Sequence, residues 1–309
     1  MIGISKYRIQ GLREPLMVNV MHGLGLESVP FYDNENPAKT ESKVQIQEFA
    51  RRRHGPVAEE REPVNDPAVM AERIKGMARD LGADLVGIAR LRPVMINIGV
   101  DLPYEWVICL ALREDYHAVL DGPAAVEEQA FTAYYHCART STELAERIRA
   151  MGWPALPHHN GGCDIMAIPA MYQAGFGELG KHGSLINPSL GADFRPGFVT
   201  TNLPLVEDGP LTFGVPDYCE NCNLCINNCP GDAMAREPIL TEGIRRWLVN
   251  TEKCYPYSRF REEYCHICVD VCPYIHKENG NQDLRGVYKA YMKTRKNAGW
   301  RTPKGAAAE

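Results

Sequence analysis

The residues of this chain best suited to chemistry are its cysteines, because eight of the eleven lie between residues 219 and 272. The first run, YCENCNLCINNCP, has the spacing C-x2-C-x2-C-x3-C-P. The second run, YCHICVDVCPY, has the spacing C-x2-C-x3-C-P, and Cys254 lies eleven residues before its first cysteine. Cytosolic thiols stay reduced and disulfides are rare there. Crowding in one segment, with only Cys109, Cys137 and Cys163 elsewhere, therefore favours metal binding over disulfides.

The two runs have the arrangement of bacterial two-cluster ferredoxins, in which the fourth cysteine of each run ligates the other cluster. This arrangement implies that cluster 1 is held by Cys219, Cys222, Cys225 and Cys272. It implies that cluster 2 is held by Cys229, Cys254, Cys265 and Cys268. Two four-cysteine zinc sites or free thiols are the alternatives, but zinc sites do not need this spacing twice. We therefore predict two 4Fe–4S clusters, with the displaced Cys254 as the departure from a plain ferredoxin.

The segment before the cysteine runs must hold the group that accepts electrons from the clusters. Predicted helices and strands alternate along it. Asp66 can cap a helix that has Pro67 in its first turn and Gly82 at its end. A long helix with an apolar stripe is predicted from about residue 124 to 150. Buried strands are predicted in DLVGIA, WVICLAL and PGFVTTNLPL. The alternation predicts an α/β layered core.

Four parts of the chain follow from these patterns. Residues 1–65 carry proline, glycine and charge without sustained periodicity, and we predict an extended N-terminal arm. The layered core covers 66–210, and a ferredoxin-like domain covers 211–280. Residues 281–309 are predicted to form a closing helix, in NQDLRGVYKAYMKTRKN, and a tail.

Composition and charge restrict the partners. The net charge is −5, from 34 basic and 39 acidic residues, whereas a dedicated nucleic-acid binder usually has a basic excess. No apolar run is long enough to span a bilayer, and the first residues lack the pattern of a signal peptide. RRRHGP at 51–56 looks like a twin-arginine signal, but a polar segment follows it. We predict a cytoplasmic protein without a membrane span.

The segment QAGFGELGKHGSLINPSLGADFRPGFVTTNLPL (173–205), followed by the cysteine runs, resembles the cobalamin-dependent reductive dehalogenases and their relatives, the epoxyqueuosine reductases. Both families place A-G-x-G-x-x-G-[KR]-x-x-x-L-[IL] and then [FV]-x-T-[DTN]-L-P-L before a C-terminal ferredoxin module. The resemblance covers roughly 70–276. It implies an α+β fold, in which a nitroreductase-like α/β core cradles cobalamin and the ferredoxin domain docks beside it.

The resemblance also implies which residues contact cobalamin. According to the resemblance, the glycines of the segment 173–205 let the backbone approach the corrin ring, where a Cβ would collide. The implied contacts are Gly175, Gly177, Gly180, Gly183, Leu185 and Asn187. A histidine below the cobalt typically comes in D-x-H-x-x-G, and DYHAVL has Leu120 in place of the glycine, which excludes His117. The implied cofactor is therefore base-off cobalamin.

Tyr134, in AYYHCA, occupies the position where the two families place their acid. Epoxyqueuosine reductases have aspartate there, in sequences like RDYH, and reductive dehalogenases have tyrosine, in sequences like YS-x-M-A. Tyr134 also falls near the apolar stripe of the long helix, where core packing is the alternative. An unperturbed phenol, with a pKa of about 10, stays protonated at neutral pH and can protonate a basic carbanion. Lys181 is the predicted cation beside it, with Arg195 in reserve and a solvated loop charge as the alternative.

Asn160 completes the predicted catalytic set, because PHHN resembles the P-x-G-N of the dehalogenases. His159 stands where glycine is usual, so the shape of this loop is expected to differ. His158 and His159 are predicted to be a solvent-exposed pair.

We predict that electrons pass through two 4Fe–4S clusters to cobalt and that an organohalide loses its halogen while Tyr134 delivers the proton. An external ferredoxin or flavodoxin is the predicted electron donor. One alternative is an epoxyqueuosine-type reductase acting on tRNA, against which the tyrosine and the acidic net charge argue. Others are a cobalamin-dependent reductase with a halogen-free substrate and a non-catalytic electron carrier or cofactor chaperone.

Overall fold

A computed structural model describes residues 37–274, with gaps at 98, 116, 242–243, 251–252, 255–256 and 258–264, and residue 293. The helices are α1 (Pro37–Arg51), α2 (Pro67–Asp80), α3 (Ala118–Asp121), α4 (Pro123–Ala150), α5 (Ala167–Gln173), α6 (Val215–Asn221), α7 (Leu224–Asn228) and α8 (Ile267–Asp270), with a 3-10 turn at Pro93–Met95. The strands are β1 (Leu85–Arg90), β2 (Trp106–Arg113), β3 (Ala155–His158), β4 (Glu178–Leu179), β5 (Leu185–Ile186), β6 (Phe194–Thr201), β7 (Ile239–Thr241) and β8 (Ile244–Arg246).

Four strands form one antiparallel sheet in the order β1-β2-β6-β3. Successive side chains of a strand point to opposite faces, and β2 is buried on both. Ile108, Leu110 and Leu112 pack with the apolar residues of α2 and α4. Their neighbours Val107, Cys109 and Ala111 pack with those of α5 and the loop after it. The sheet is thus the middle layer of the core, and the predicted α+β class is confirmed.

The predicted helices and strands of the core match the structure because their signals are local. The Asp66 carboxylate accepts a hydrogen bond of 2.8 Å from the Ala68 N–H and caps α2. Helix α4 begins at Pro123 and ends at Ala150, close to the predicted bounds. Strand β6 ends at Thr201, four residues earlier than predicted. The Thr201 hydroxyl accepts a hydrogen bond of 3.1 Å from the Leu203 N–H, which turns the chain before Pro204.

The prediction of an extended arm is wrong for residues 37–51, which form helix α1. This helix lies on α4, where the Phe49 and Tyr135 rings are 5.9 Å apart. Just after it, Arg52 pairs with Glu146 at 2.7 Å. Of its residues from 41 on, only Ser42 and Ile46 are buried. A helix that buries so few apolar residues lacks the apolar stripe from which a helix is predicted. The predicted closing helix at 281–297 lies outside the described residues apart from Lys293.

A second core joins the loop at 175–187 to the cysteine-rich module. The Glu178 carboxylate Oε2 accepts hydrogen bonds of 2.7, 2.7 and 3.0 Å from the N–H groups of Phe213, Gly214 and Val215, at the start of α6. Ile186 packs with Val215 and with the buried cysteines. Three charge-assisted bonds to one oxygen fasten the module to the loop. No helix in the described part of the chain is long and apolar enough to cross a membrane.

Candidate functional site

The four cysteines predicted for cluster 1 line one cavity. Its walls include Cys219, Cys222 and Cys225 of the first run and Cys272 of the second, together with Lys181, His182, Tyr218 and Tyr274. Burial, with a smaller contribution from the neighbouring thiols, raises the pKa of Cys225 and that of Cys272 to about 12. Thiols in such surroundings keep their protons unless a metal supplies compensating charge. The donor set and its burial fit a 4Fe–4S cluster.

The cysteines predicted for cluster 2 influence one another electrostatically. Burial, with smaller contributions from Cys254 and Cys229, raises the pKa of Cys265 to about 12. Burial likewise raises the pKa of Cys268, with contributions from Cys265 and Cys254. Within the described ranges, no three His, Cys, Asp or Glu side chains converge on a single metal ion. A 4Fe–4S cluster requires no such convergence, because each cysteine binds a different iron.

Tyr134 lies on α4, and its partner is Arg195, the second residue of β6. The Arg195 Nη1 donates a hydrogen bond of 3.4 Å to the Tyr134 hydroxyl. Its guanidinium carbon lies 5.1 Å from the centre of the tyrosine ring, and the Phe131 ring packs edge-on against the tyrosine at 5.9 Å. The tyrosine is partly exposed, and its hydroxyl is held by a cation. The cation predicted in reserve is therefore the one in contact.

Two buried carboxyl groups lie behind Arg195. Its Nε donates a hydrogen bond of 2.8 Å to Glu114, which is 3% exposed. Asp193, 4% exposed, lies beside Glu114. Burial, followed by the Glu114 charge, raises the pKa of Asp193 to about 9, although Arg195 opposes the shift. At neutral pH Asp193 is therefore protonated, and it adds no negative charge beside the ion pair of Glu114 with Arg195.

Sequence reasoning missed Glu114 and Asp193, because only the pairing of β2 with β6 makes them neighbours. Arg113 pairs with Phe194 at the end of the β2–β6 ladder, so the residues just beyond that rung, 114 and 193, must be neighbours. The Glu114 N–H donates a hydrogen bond of 3.1 Å to the Asp193 carbonyl, which continues the ladder. Recognising the pair required the strand register, which the sequence does not state.

Close packing of α4 on β6 brings Tyr134 to Arg195. The Cys137 thiol, one turn after Tyr134, donates a hydrogen bond of 3.3 Å to the Arg195 carbonyl. A Cβ at Gly197 would lie only 3.2 Å from the Cys137 carbonyl oxygen. Glycine at this position thus allows the helix to approach the strand.

Lys181, the predicted partner of Tyr134, belongs to the other end of the site. Its Nζ donates hydrogen bonds of 3.0 Å to the Asn223 side chain and 3.3 Å to the Glu220 carbonyl, and it lies 5.1 Å from the Trp247 ring. The residue lines the cluster 1 cavity. No described contact joins Lys181 to Tyr134, whose cation is Arg195, and the burial of Lys181 excludes the alternative of a solvated loop charge.

The loop PHHN also differs from its prediction. Asn160 is exposed, and no described contact joins it to Tyr134. His158 and His159 are buried rather than exposed. The His158 Nε2 lies 2.9 Å from the Thr200 hydroxyl, and its Nδ1 lies 3.2 Å from Arg53. Burial lowers the pKa of His158, and the Arg53 charge lowers it further, so the ring is neutral.

The residues predicted to contact cobalamin are packed closely against other parts of the protein. A Cβ at Gly177 would lie 1.9 Å from the Ile186 carbonyl oxygen, and one at Gly175 would lie 2.8 Å from that of Gly209. At Gly180 and Gly183 a Cβ would meet side chains of the protein. Leu185 is buried, and the Asn187 amide donates to the Phe176 carbonyl at 2.7 Å. Close packing of the loop on the protein explains these residues without a cofactor, and the predicted cobalamin contacts stay a prediction.

Comparisons with known proteins agree with this organisation. Residues 218–275 match the family model of the 4Fe-4S dicluster domain. The tetrachloroethene reductive dehalogenase of Sulfurospirillum multivorans is 30% identical over 268 residues, covering 71% of this chain and 53% of that protein. An epoxyqueuosine reductase of Synechococcus sp. (strain CC9605) is 34% identical over 178 residues, covering 53% of this chain and 47% of that protein.

The fold has a similar solved structure. A reductive dehalogenase, whose structure is described as suggesting a mechanism for B12-dependent dehalogenation, superposes with a TM-score of 0.73 at 23% identity. The match covers 86% of this chain and 42% of that chain. This chain thus spans about half the length of the curated dehalogenase above and less than half of the solved one.

Proposed function

Because the chain belongs to the reductive dehalogenase family, we propose that it is an oxidoreductase that removes a halogen from a small organohalide. In the balanced reaction R–X, one proton and two electrons become R–H and a halide ion. The observation that carries the proposal is the pairing of Tyr134 with Arg195 on a core fused to the dicluster module. Together they offer one acid and a source of single electrons.

The proton is supplied by Tyr134. Since Arg195 donates to the phenol oxygen, the phenol O–H is free to donate to another group. As the proton leaves, negative charge develops on that oxygen, 3.4 Å from a guanidinium nitrogen. An opposite charge at this distance stabilises the phenolate. Glu114 holds the guanidinium in place through the Nε hydrogen bond.

The electrons enter as single charges from an external ferredoxin or flavodoxin and cross the two clusters held by the eight cysteines. Base-off cobalamin is the second cofactor in the proposal, because the structurally similar dehalogenase is described as B12-dependent. When bound, it supplies a reduced cobalt able to attack or accept the halogen. Packing within the protein explains the glycines of the loop at 175–187, so the support for this cofactor comes from the relatives and not from these glycines.

Anaerobic reconstitution tests the proposal. The protein is loaded with iron and sulfide, with and without cobalamin, and incubated with a low-potential reductant and brominated or chlorinated phenols. We expect halide release and the dehalogenated phenol only when cobalamin is present. Bound cobalamin without halide release from any halophenol would contradict the halogenated substrate. Intact clusters with no bound corrin would instead favour the non-catalytic electron carrier.

Epoxyqueuosine reduction is the second candidate, favoured by the 34% identity to an epoxyqueuosine reductase over about half of the chain. The same reconstituted protein is incubated with epoxyqueuosine-containing tRNA, and queuosine is quantified. Turnover of the tRNA in the absence of halide release would replace the leading proposal.

A further inference from the structure

Lys181 is a buried cation in an unusual position. It is 2% exposed and is among the largest fully buried side chains of the described chain. It lies in the turn between β4 and β5, where the Gly180 N–H donates to the Ser184 carbonyl at 2.9 Å. This turn is held on the cysteine module by the Glu178 carboxylate. The lysine is therefore fixed where it stands.

The surroundings of its ammonium group leave the charge uncompensated. The two hydrogen-bond acceptors, the Asn223 side chain and the Glu220 carbonyl, are neutral, and the third contact is the Trp247 ring. Among the described residues, no carboxylate forms an ion pair with Lys181. Burying a charge without a counter-charge is costly, so proteins pair such groups or place them beside a bound ion.

Anionic sulfur ligands lie next to this lysine. It lines the same cavity as the cluster 1 cysteines. Burial raises the pKa of Cys219, while a hydrogen bond from the Lys181 backbone and the Lys181 charge both lower it. The same charge lowers the pKa of Cys225 against the larger effect of burial. A 4Fe–4S cluster bound by the four thiolates is a negatively charged group. In this cavity it would be the counter-charge that the Lys181 ammonium lacks within the described protein.

We propose that Lys181 is the counter-charge of the cluster held by Cys219, Cys222, Cys225 and Cys272, and that it raises the reduction potential of this cluster. Reduction adds one negative charge to the cluster, and a cation in a low-dielectric site stabilises the reduced form. The inference rests on the iron–sulfur part of the proposed function.

A redox titration monitored by electron paramagnetic resonance tests this, on the full chain loaded with iron and sulfide and without cobalamin or substrate. We expect Lys181→Met to make one cluster harder to reduce and to leave the other unchanged. The expected effect is about a tenfold change in its reduced-to-oxidised ratio at fixed potential, equal to about 59 mV for one electron. Lys43→Met, on α1, is the matched control and should change neither cluster.

Measuring the iron and sulfide content of each variant distinguishes an effect of the lost charge from loss of the cluster through altered packing. Unchanged potentials in Lys181→Met at full iron content would overturn the proposal, as would equal shifts of both clusters. If Lys181→Met loses one cluster, Lys181→Arg should retain it, and loss in both variants would overturn the role of charge. Because neither cobalamin nor an organohalide is present, the absence of dehalogenation activity leaves this result untouched.

Discussion

A cation lies at each end of the candidate site, the partly buried Arg195 beside Tyr134 and the buried Lys181 beside the cysteines, and the protein balances their charges differently. Arg195 pairs with a buried carboxylate at 2.8 Å, and the neighbouring Asp193 keeps a proton, so the charges of that corner balance. Lys181 has only neutral acceptors among the described residues. Protein groups alone therefore balance the charge of Arg195 at the acid end of the site. The charge of Lys181, at the cluster end, is balanced only when the cluster is bound. Substitutions at the two ends should differ accordingly.

The largest expected effect is on the acid. Tyr134→Phe removes the proton donor and should lower halide release about 10²- to 10⁴-fold, the usual contribution of a general acid. The clusters and their iron content should not change. Tyr135→Phe is the matched control, because Tyr135 packs against Phe49 and His136 and lies on another face of α4. Full turnover by Tyr134→Phe would remove the proposed acid.

Arg195→Met tests whether the stability of the protein depends on the ion pair between Arg195 and Glu114. Glu114 would remain buried without a counter-ion, and the free energy of unfolding should fall by about 3 kcal/mol. Denaturant titration of the cluster-loaded protein measures this. Arg92→Met, which breaks an exposed pair with Glu207, should cost less than about 1 kcal/mol. Equal losses in the two variants would contradict the special status of the buried pair.

Lys181→Met tests the unbalanced end. Without its counter-charge the cluster should dissociate more readily, so that a chelator removes iron about tenfold faster, equivalent to about 1.4 kcal/mol. The loss of absorbance of the iron–sulfur clusters over time gives the rate. Iron loss at the rate of the unsubstituted protein would show that the lysine does not stabilise the cluster.

Asp193→Asn should change how stability depends on pH. The folded pKa of Asp193, about 9, lies above the ordinary value of about 3.9. The folded state therefore binds more protons than the unfolded state between these values, and stability decreases as pH rises through that window. The asparagine variant cannot titrate, so its melting temperature should fall less between pH 5 and pH 9. Parallel curves for the two proteins would show that Asp193 is ionised when folded.

Much of the candidate site could be predicted from the sequence because its signals are short-range. The cysteine spacings place their ligands without reference to the rest of the chain, and Cys272 indeed faces the first run across the cluster 1 cavity. Helix α4 carries Tyr134 on a partly buried face, as its periodicity predicts. Helix α1 escaped prediction because its stability comes from packing on α4, with Ile46 as its main buried apolar residue.

The sequence by itself determined which chemical groups are present and which lie close along the chain: two cysteine runs, a tyrosine on a helix, and cations within reach of a loop. Only the tertiary structure decided which cation meets which group. Lys181 and Arg195 are both long side chains near the glycine-rich segment, and spacing along the chain cannot distinguish their partners. The register of β2 against β6 places Arg195 beside Glu114. The hydrogen bonds of Glu178 hold the turn that carries Lys181 against the cysteine module. Such long-range contacts depend on how layers pack, which local sequence patterns do not encode.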